Sequence, residues 1–290
     1  MGEMGGVSHN VRKRRYGARD KEVLIREIIN LHNSGFSQVD IAKKLKLNRG
    51  TIKRWNDELS FIESRSPGEA GKLKNKIHRY DENFFAKIIN PNQAYLLGYI
   101  TGDGTIYDRG KSKRLIIALA EEDKQLIYDI AKEFNILGAV KFRKKNKDNE
   151  QNKYSLAINS TKMCNDLINL GISPRKTGKE KWTNFYDDNL NWAFLRGFFD
   201  ADGHIRVYER NGYLKARMGF TGNVEMLKSI LLFLKSKGFG KNVNSITHKQ
   251  GCSDLYLSSV NELRLIFKEM YRYGDIKLAR KYEKFTSLMI

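Results

Sequence analysis

The stretch AFLRGFFDADGHI, residues 193–205, is an apolar run of helix-forming residues that ends in acidic residues and a glycine. The stretch AYLLGYITGDGTI, residues 94–106, repeats the same residue types in the same order. Two copies of one pattern in a chain of 290 residues predict an internal repeat, in which each copy forms one structural unit.

Each stretch carries two small residues four positions apart, which places them on one face of a helix. They are Gly98 and Gly102 in the first copy, and Gly197 and Ala201 in the second. Small residues at this spacing let two helix backbones approach closely. We therefore expect the two helices to pack on each other, with their C-terminal ends side by side.

Asp103 and Asp202 would then lie at adjacent helix C-termini. A carboxylate there is unfavourable, because the last backbone carbonyls already carry partial negative charge. The arrangement becomes favourable when a cation lies between the two ends, and carboxylate and carbonyl oxygens suit magnesium. Gly104 and Gly203 would let the chain leave each helix sharply.

After its motif helix, each copy predicts two strands, a helix, two more strands and a closing helix. This α-β-β-α-β-β-α order predicts one four-stranded antiparallel sheet per copy, an α+β fold. The predicted strands are 105–109, 114–120, 138–145 and 153–158 in the first copy, and 204–210, 214–221, 241–248 and 253–258 in the second. The predicted helices between and after them are 122–135, 161–170, 223–237 and 261–272.

Basic and aromatic side chains alternate with apolar ones along several of these strands, so each kind lies on its own face. A face that is nearly all cationic or aromatic suits the DNA major groove, which admits a β-ribbon. Any one such residue is explained equally well by an ordinary solvated face, so the prediction rests on the joint pattern. The predicted DNA contacts are Tyr107, Arg109, Lys141, Arg143, Lys145, Arg206, Tyr208, Arg210, Lys215 and Arg217.

The formal net charge is +20, which favours a nucleic-acid partner over a membrane. The two cysteines are too few for a disulfide framework or a zinc site. No apolar run is long enough to span a bilayer. We expect an intracellular protein, in the cytoplasm or nucleoid, or in an organelle if the source is eukaryotic.

Residues 20–57 predict three short helices, with Ser37 and Asn48 as caps of the second and third. The segment resembles the helix-turn-helix of resolvases and invertases, with Lys46 where the turn usually has glycine. This resemblance implies that the third helix enters the major groove, with Arg49, Lys53 and Arg54 on the DNA. A plain three-helix bundle is the alternative.

The chain is thus predicted to have five parts. Residues 1–19 form a basic arm, which either orders in the minor groove of DNA or stays a solvated tail. Residues 20–57 form the helix-turn-helix and residues 58–90 a polar linker. The two repeat domains follow, at 91–180 and 181–290.

The two stretches LLGYITGDG and LRGFFDADG resemble the motifs of LAGLIDADG homing endonucleases, in the single-chain form with two motifs. The resemblance implies a pseudo-twofold pair of αββαββα domains that form a β-saddle over DNA. It implies a monomer that cuts both strands of a long asymmetric target across the minor groove. It also implies magnesium, or manganese in its place, bound by the last acid of each motif, Asp103 and Asp202. The sixth motif position, here Thr101 and Asp200, is not a metal ligand in that family.

The resemblance further implies a basic residue near the centre of each half that stabilises charge on the phosphate. The best matches are Lys176 in the first half and Lys277 in the second, with Lys281 as the rival of Lys277. Two alternatives to an endonuclease remain. One is a non-cleaving transcription regulator, a class that typically loses the motif acids; the other is an RNA maturase that assists intron splicing.

Overall fold

The computed structural model describes residues 17–65, 77–174 and 178–289. The chain forms two compact units, Met1–Arg79 and Tyr80–Ile290. The basic arm predicted at 1–19 falls almost entirely outside the described residues, as do the middle of the predicted linker and Lys176.

The first unit contains three helices: α1 (Ala18–Asn33), α2 (Gln38–Lys44) and α3 (Arg49–Leu59). The predicted caps are present, since the side chain of Ser37 accepts from Asp40 N and that of Asn48 accepts from Gly50 N. Lys46, between α2 and α3, has φ +53°, so a lysine adopts the left-handed conformation that glycine takes most easily. The three helices enclose a small core of Ile28, Ile41, Ile52, Trp55 and Ile62.

The described parts of the segment predicted as a linker, 58–90, pack against the two units. Ile62 is buried in the first unit, where its backbone exchanges two hydrogen bonds with the side chain of Asn56. Tyr80 and Phe85 are buried in the core of the second unit. Polar composition predicted a linker here, and its apolar residues Ile62, Tyr80 and Phe85 anchor its two ends.

The first half of the second unit follows the predicted element order. Its four strands form one antiparallel sheet in the order β1-β2-β4-β3. The elements are α4 (Pro91–Asp103), β1 (Thr105–Asp108), β2 (Lys113–Ala120), α5 (Lys124–Glu133), β3 (Lys141–Arg143), β4 (Lys153–Ile158) and α6 (Thr161–Asn169).

The second half repeats this plan, and its sheet has the equivalent order β5-β6-β8-β7. The predicted fold of paired α-β-β-α-β-β-α domains is therefore confirmed. The elements are α7 (Asp188–Asp202), β5 (Gly203–Arg210), β6 (Tyr213–Gly222), α8 (Val224–Ser236), β7 (Thr247–Lys249), β8 (Cys252–Leu257), α9 (Val260–Met270) and α10 (Ala279–Thr286).

Two strands are much shorter than predicted, and both are edge strands. The strand expected at 138–145 is only β3, because Leu137–Ala139 form a 3₁₀ turn. The strand expected at 241–248 is only β7, because a turn closed by Val243 N on Gly240 O precedes it. Each of these two strands extends only as far as its pairing with its single neighbour, β4 or β8.

The core of the second unit lies between the helices and the inner faces of the two sheets. Register places Ile106, Leu115 and Ile158 side by side in the first sheet, all buried. Helices α4 and α7 are buried on nearly every side, as expected of helices at the centre of a fold. Among the described residues, no helix is long and apolar enough to cross a membrane.

Candidate active site

Helices α4 and α7 cross at backbone contact, through two glycines. A Cβ added to Gly98 would lie 2.1 Å from the carbonyl oxygen of Phe194. A Cβ added to Gly197 would lie 2.0 Å from the carbonyl oxygen of Tyr95. Since each glycine faces the backbone of the other helix, the crossing is reciprocal, as the repeated motif predicts.

The crossing brings the C-terminal ends of the two helices together. A Cβ added to Gly102 would lie 2.4 Å from Cβ of Ala201 and 2.8 Å from Oδ2 of Asp202. The carboxylate of Asp202 therefore lies against the last turn of α4, next to Asp103. Asp103 is exposed, and its Oδ2 accepts a long hydrogen bond of 3.5 Å from the hydroxyl of Tyr99.

Gly104 and Gly203 follow the two acids, but the reason for glycine differs from the one predicted. Their backbones are extended, with φ −72° and −94°, a conformation open to other residues. A Cβ at Gly104 would lie 2.5 Å from Cγ2 of Ile100, and one at Gly203 would lie 2.2 Å from Cδ2 of Phe199. Close packing, and not an unusual φ, requires glycine at these two positions.

A buried carboxylate lies two residues before Asp202. Oδ2 of Asp200 accepts hydrogen bonds from the hydroxyl of Tyr95 on α4 and from the backbone N–H of Leu278, each at 2.8 Å. Burial raises the pKa of Asp200 to about 6, against the opposing effects of Lys281 and of these hydrogen bonds. The equivalent residue of the first motif, Thr101, instead donates to the carbonyl of Leu97 on its own helix.

Lys281 is the basic residue at this end of α7. Its Nζ donates to the carbonyl oxygens of Phe199 and Asp200, each at 2.8 Å, and its side chain is buried. Burial lowers the pKa of Lys281 to about 8, although the charges of Asp200, Asp103 and Asp202 oppose this. A positive charge here offsets the partial negative charge of the helix C-terminus. Lys281 therefore supplies part of the positive charge that we expected from a bound cation alone.

Lys277, the residue preferred from the sequence, contacts an aromatic ring. It is exposed, and its Nζ lies 4.7 Å from the centre of the Tyr282 ring. Lys281 bonds the C-terminal end of α7, and which of the two lysines is the basic residue of the second half stays a prediction. The counterpart predicted in the first half, Lys176, lies outside the described residues.

Arg196 is a site residue that the sequence reasoning missed. It is the one charged side chain within the apolar run of the second motif, and it is fully buried. Its Nη1 donates to the carbonyl oxygens of Met270 and Tyr273, at 3.1 and 2.7 Å, and its guanidinium lies over the rings of Tyr95 and Tyr271. A charged residue in an otherwise apolar helix was the signal that could have revealed it.

The donor set at the helix ends suits a hard divalent cation. Asp103 and Asp202 bring two carboxylates together beside helix-terminal carbonyls, and such oxygens are the ligands that magnesium prefers. Within the described part of the chain, no group of three or more His, Cys, Asp or Glu residues could hold a metal ion. A cation here would therefore rely on two carboxylates and complete its coordination with water or substrate oxygens.

The outer face of the second sheet has the predicted cationic and aromatic character. Arg206 pairs with Arg217, and Tyr208 pairs with Lys215, across β5 and β6. All four side chains are exposed. Like charges directly opposite each other are unfavourable in a sheet, so this face is better suited to a polyanion than to water alone. Arg210, at the end of β5, is exposed as well.

One carboxylate interrupts this face. Asp254 is fully buried and accepts hydrogen bonds from Thr221 at 2.7 Å and from Tyr256 at 2.6 Å, and it is ion-paired with Lys249. Burial would raise the pKa of Asp254, but these three partners outweigh it and hold the pKa below its usual value. Tyr256 in turn packs under Arg217, whose guanidinium lies 4.6 Å from the ring centre.

The first sheet departs from the prediction at its centre. Ile116 and Ala157 are paired on the outer face, with Ala118 beside them, so this face is not nearly all cationic or aromatic. The predicted basic residues lie at its margins and are exposed. They are Arg109 beside Tyr107, Lys141 and Arg143 in β3, and Lys145, which lies beyond the strand.

In the first unit, the predicted DNA-contacting residues lie on the exposed side of α3. Arg49, Lys53 and Arg54 are exposed, whereas Ile52 and Trp55 of the same helix are buried in the core. The helix therefore presents its basic side to solvent.

Comparisons with known proteins place these features in a family. A family model described as a LAGLIDADG-like domain matches residues 90–184 and 189–271, together more than half of the chain. An uncharacterized protein of Methanocaldococcus jannaschii, MJ1054, is 24% identical over 208 residues, which are 69% of this chain and 22% of that protein. The glutamine–fructose-6-phosphate aminotransferase of the same organism is 31% identical over 141 residues, 46% of this chain and 12% of the enzyme. The chain thus spans less than a quarter of the length of either curated relative.

Among solved structures, the LAGLIDADG meganuclease I-AabMI bound to uncleaved DNA is similar, with a TM-score of 0.47 and 14% identity. The match covers 69% of this chain and 89% of the meganuclease.

Proposed function

The chain belongs to the family of LAGLIDADG-like domains, and from this premise we propose that it is a site-specific DNA endonuclease that cuts both strands of a duplex. The observation that carries the proposal is the glycine-mediated crossing of α4 and α7, which sets Asp103 and Asp202 side by side. A carboxylate at a helix C-terminus is unfavourable by itself. The fold repeats this feature in both halves, and a catalytic cation accounts for it.

Asp103 and Asp202 would hold magnesium, or manganese in its place. When bound, the metal would lower the pKa of a water molecule and stabilise the charge on the leaving oxygen of a phosphodiester. Lys281 holds a positive charge beside the two acids, where it can favour the additional negative charge of the transition state. Lys176 has the corresponding role in the first half, as the family resemblance implies.

The outer faces of the sheets would bind the DNA on either side of the site. The exposed arginine and lysine side chains of β5 and β6 can contact phosphates and the acceptor edges of guanines. The first sheet has an apolar centre instead, so the two halves would read different sequences. A monomer acting on a long asymmetric target follows from this difference.

The exposed side of α3 would add contacts to one flank of the target. Three basic residues on the outer side of a short capped helix suit the major groove. These contacts would extend the footprint and make binding more sensitive to salt.

Cleavage is the experiment that tests the proposal. The protein is incubated with a randomised duplex library, and with DNA that spans the insertion site of its own gene, in magnesium and then in calcium. We expect double-strand cuts in magnesium that are lost in Asp103→Asn and in Asp202→Asn. Asp129→Asn is the matched control, because Asp129 lies on the exposed side of α5, where its carboxylate accepts a hydrogen bond from Gln125.

Both acid variants should still bind the cleaved sequence in calcium, since the substitution leaves the basic faces intact. Sequence-selective binding without a cut in any divalent metal would refute the endonuclease and favour a transcription regulator. Preferential binding of the host intron RNA over duplex DNA would favour a maturase.

A further inference from the structure

At two buried positions one motif helix has a charged residue and the other does not. Where α7 has Arg196 and Asp200, the equivalent residues of α4 are Leu97 and Thr101. The hydroxyl of Thr101 bonds the carbonyl of Leu97, within its own helix. The side chains of Arg196 and Asp200 instead bond Met270, the last residue of α9, and residues that follow it, so the second half joins its motif helix to its C-terminal segment.

Asp200 holds the beginning of α10. Leu278 is the N-cap residue of α10, and its own side chain makes no capping hydrogen bond. The N–H of Leu278 donates to Oδ2 of Asp200 at 2.8 Å. A carboxylate at a helix N-terminus satisfies a backbone donor and complements the partial positive charge there.

The same helix returns a contact to Asp200. Lys281 lies three residues after Leu278, and its Nζ donates to the carbonyl oxygens of Phe199 and Asp200. The side chain of Asp200 therefore sets where α10 begins, and the position of that first turn sets where the ammonium group of Lys281 lies. Tyr95 of α4 fixes the carboxylate from the other side, at 2.8 Å.

Two further contacts support the segment that leads to Lys281. Nη1 of Arg196 donates to the carbonyls of Met270 and Tyr273. Arg280, next to Lys281, donates from Nε to both oxygens of Asp123 in the first half, at 2.9 and 3.1 Å. Arg196 thus holds the start of the segment 270–281, and Arg280 holds it near its end. Asp200 holds the N-terminus of α10, from which Lys281 projects.

We propose that Asp200 is a positioning residue for cleavage, which acts by holding the N-terminus of α10 so that Lys281 lies beside Asp103 and Asp202. The inference rests on the proposed endonuclease function, because that function gives Lys281 its role. Asp200 itself is buried, so it would act through Lys281 and not by contact with the DNA.

A double-mutant cycle on the full chain tests this inference. Single-turnover cleavage in magnesium is measured for Asp200→Thr, for Lys281→Ala and for the double variant, with Thr101→Ala as the matched control. Asp200→Thr gives the second motif the residue of the first. We expect it to slow cleavage by about tenfold or more, as small misplacements of catalytic groups do, with DNA binding in calcium unchanged. In the Lys281→Ala background the same change should have no further effect.

Asp200→Asn is the conservative variant. Its amide oxygen can accept both hydrogen bonds that Oδ2 now accepts, so we expect it to restore most of the rate lost in Asp200→Thr. If Asp200→Thr does not fold, Asp200→Ser replaces it in the cycle. An equal rate loss in both backgrounds would overturn the inference, because Asp200 would then act independently of Lys281.

A second measurement does not depend on cleavage. Lysine labelling by an amine-reactive reagent, read by peptide mass spectrometry, reports how well Lys281 is held in its buried position. We expect Asp200→Thr to raise the labelling rate of Lys281 about tenfold, while the exposed Lys277 serves as the internal control. Unchanged protection of Lys281 would overturn the inference. If the unaltered chain does not cleave DNA but Asp200→Thr raises the labelling rate of Lys281, the endonuclease function is refuted. The contact by which Asp200 positions Lys281 is then still established.

Discussion

Substitution of Gly98 by alanine tests the helix crossing on which the site depends. In an ordinary helix this change is stabilising by about 1 kcal/mol, because alanine has the higher helix propensity. Here the added Cβ would lie 2.1 Å from the carbonyl oxygen of Phe194, whereas ordinary contact begins near 3.4 Å. The obstacle is backbone, so no change of rotamer relieves the clash.

The helices must therefore move apart or shear, and the surrounding core must follow. Overpacking of a tight core costs about 1–3 kcal/mol, and a clash with backbone belongs at the upper end of that range or beyond. After the gain in helix propensity, we expect a net loss of about 2–3 kcal/mol in the free energy of unfolding. For a unit of this size, that corresponds to a fall of roughly 5–10 °C in Tm. Because the acids lie at the ends of the displaced helices, cleavage should slow as well.

Thermal and urea unfolding of the full chain measure this loss. Gly222→Ala is the control, because its Cβ would meet Phe198 at 3.5 Å, an ordinary contact. We expect the control to lie within about 0.5 kcal/mol of the unaltered chain. A Tm for Gly98→Ala equal to or above that of the unaltered chain would refute the argument, since propensity would then outweigh packing.

Three further outcomes are expected. The folded state raises the pKa of Asp200 from 3.8 to about 6, so it binds this proton more tightly than the unfolded chain does. The contribution of Asp200 to the free energy of unfolding should therefore fall by roughly 2 kcal/mol as the pH rises from 4 to 6, and urea unfolding of Asp200→Asn should lack this fall. Lys46→Gly should stabilise the first unit by about 1 kcal/mol in chemical unfolding, because it removes a left-handed lysine; an unchanged midpoint would contradict this. Joint substitution of Lys53 and Arg54 by alanine should lower the slope of log Kd against log salt by about 2, whereas Arg26→Ala on α1 should leave that slope unchanged.

The sequence predicted the centre of the fold because the requirement there is steric and local. Only very small residues allow two backbones to touch, so the spacing of Gly98, Gly102, Gly197 and Ala201 indicated a contact face directly. The period-two patterns of β5 and β6 were equally informative, because each strand has one buried and one exposed face. In both cases the residue type itself carries the geometric constraint.

The remaining features depend on tertiary placement. Lys277 and Lys281 cannot be distinguished by residue type, and the choice depends on where α10 begins, which a contact with Asp200 determines. Arg196 stands where the first motif has Leu97, and its partners are the carbonyls of Met270, at the end of α9, and of Tyr273. Edge strand β3 was predicted too long for a related reason, because its end is set by its pairing with β4.

The two halves have conserved one requirement and diverged in how they support it. Each places an aspartate at the end of a helix that contacts the other helix through glycine, and neither crossing contact can change without displacing both acids. The bonds that Thr101, Arg196 and Asp200 make to backbone groups are free of this mutual constraint, because each of them lies within one half. A single chain can therefore have Leu97 and Thr101 in α4 and Arg196 and Asp200 in α7. The side chains of the second pair bond the C-terminal segment, whereas Thr101 bonds its own helix. In a symmetric homodimer any such change would appear twice, so this divergence is a consequence of joining the two halves in one chain.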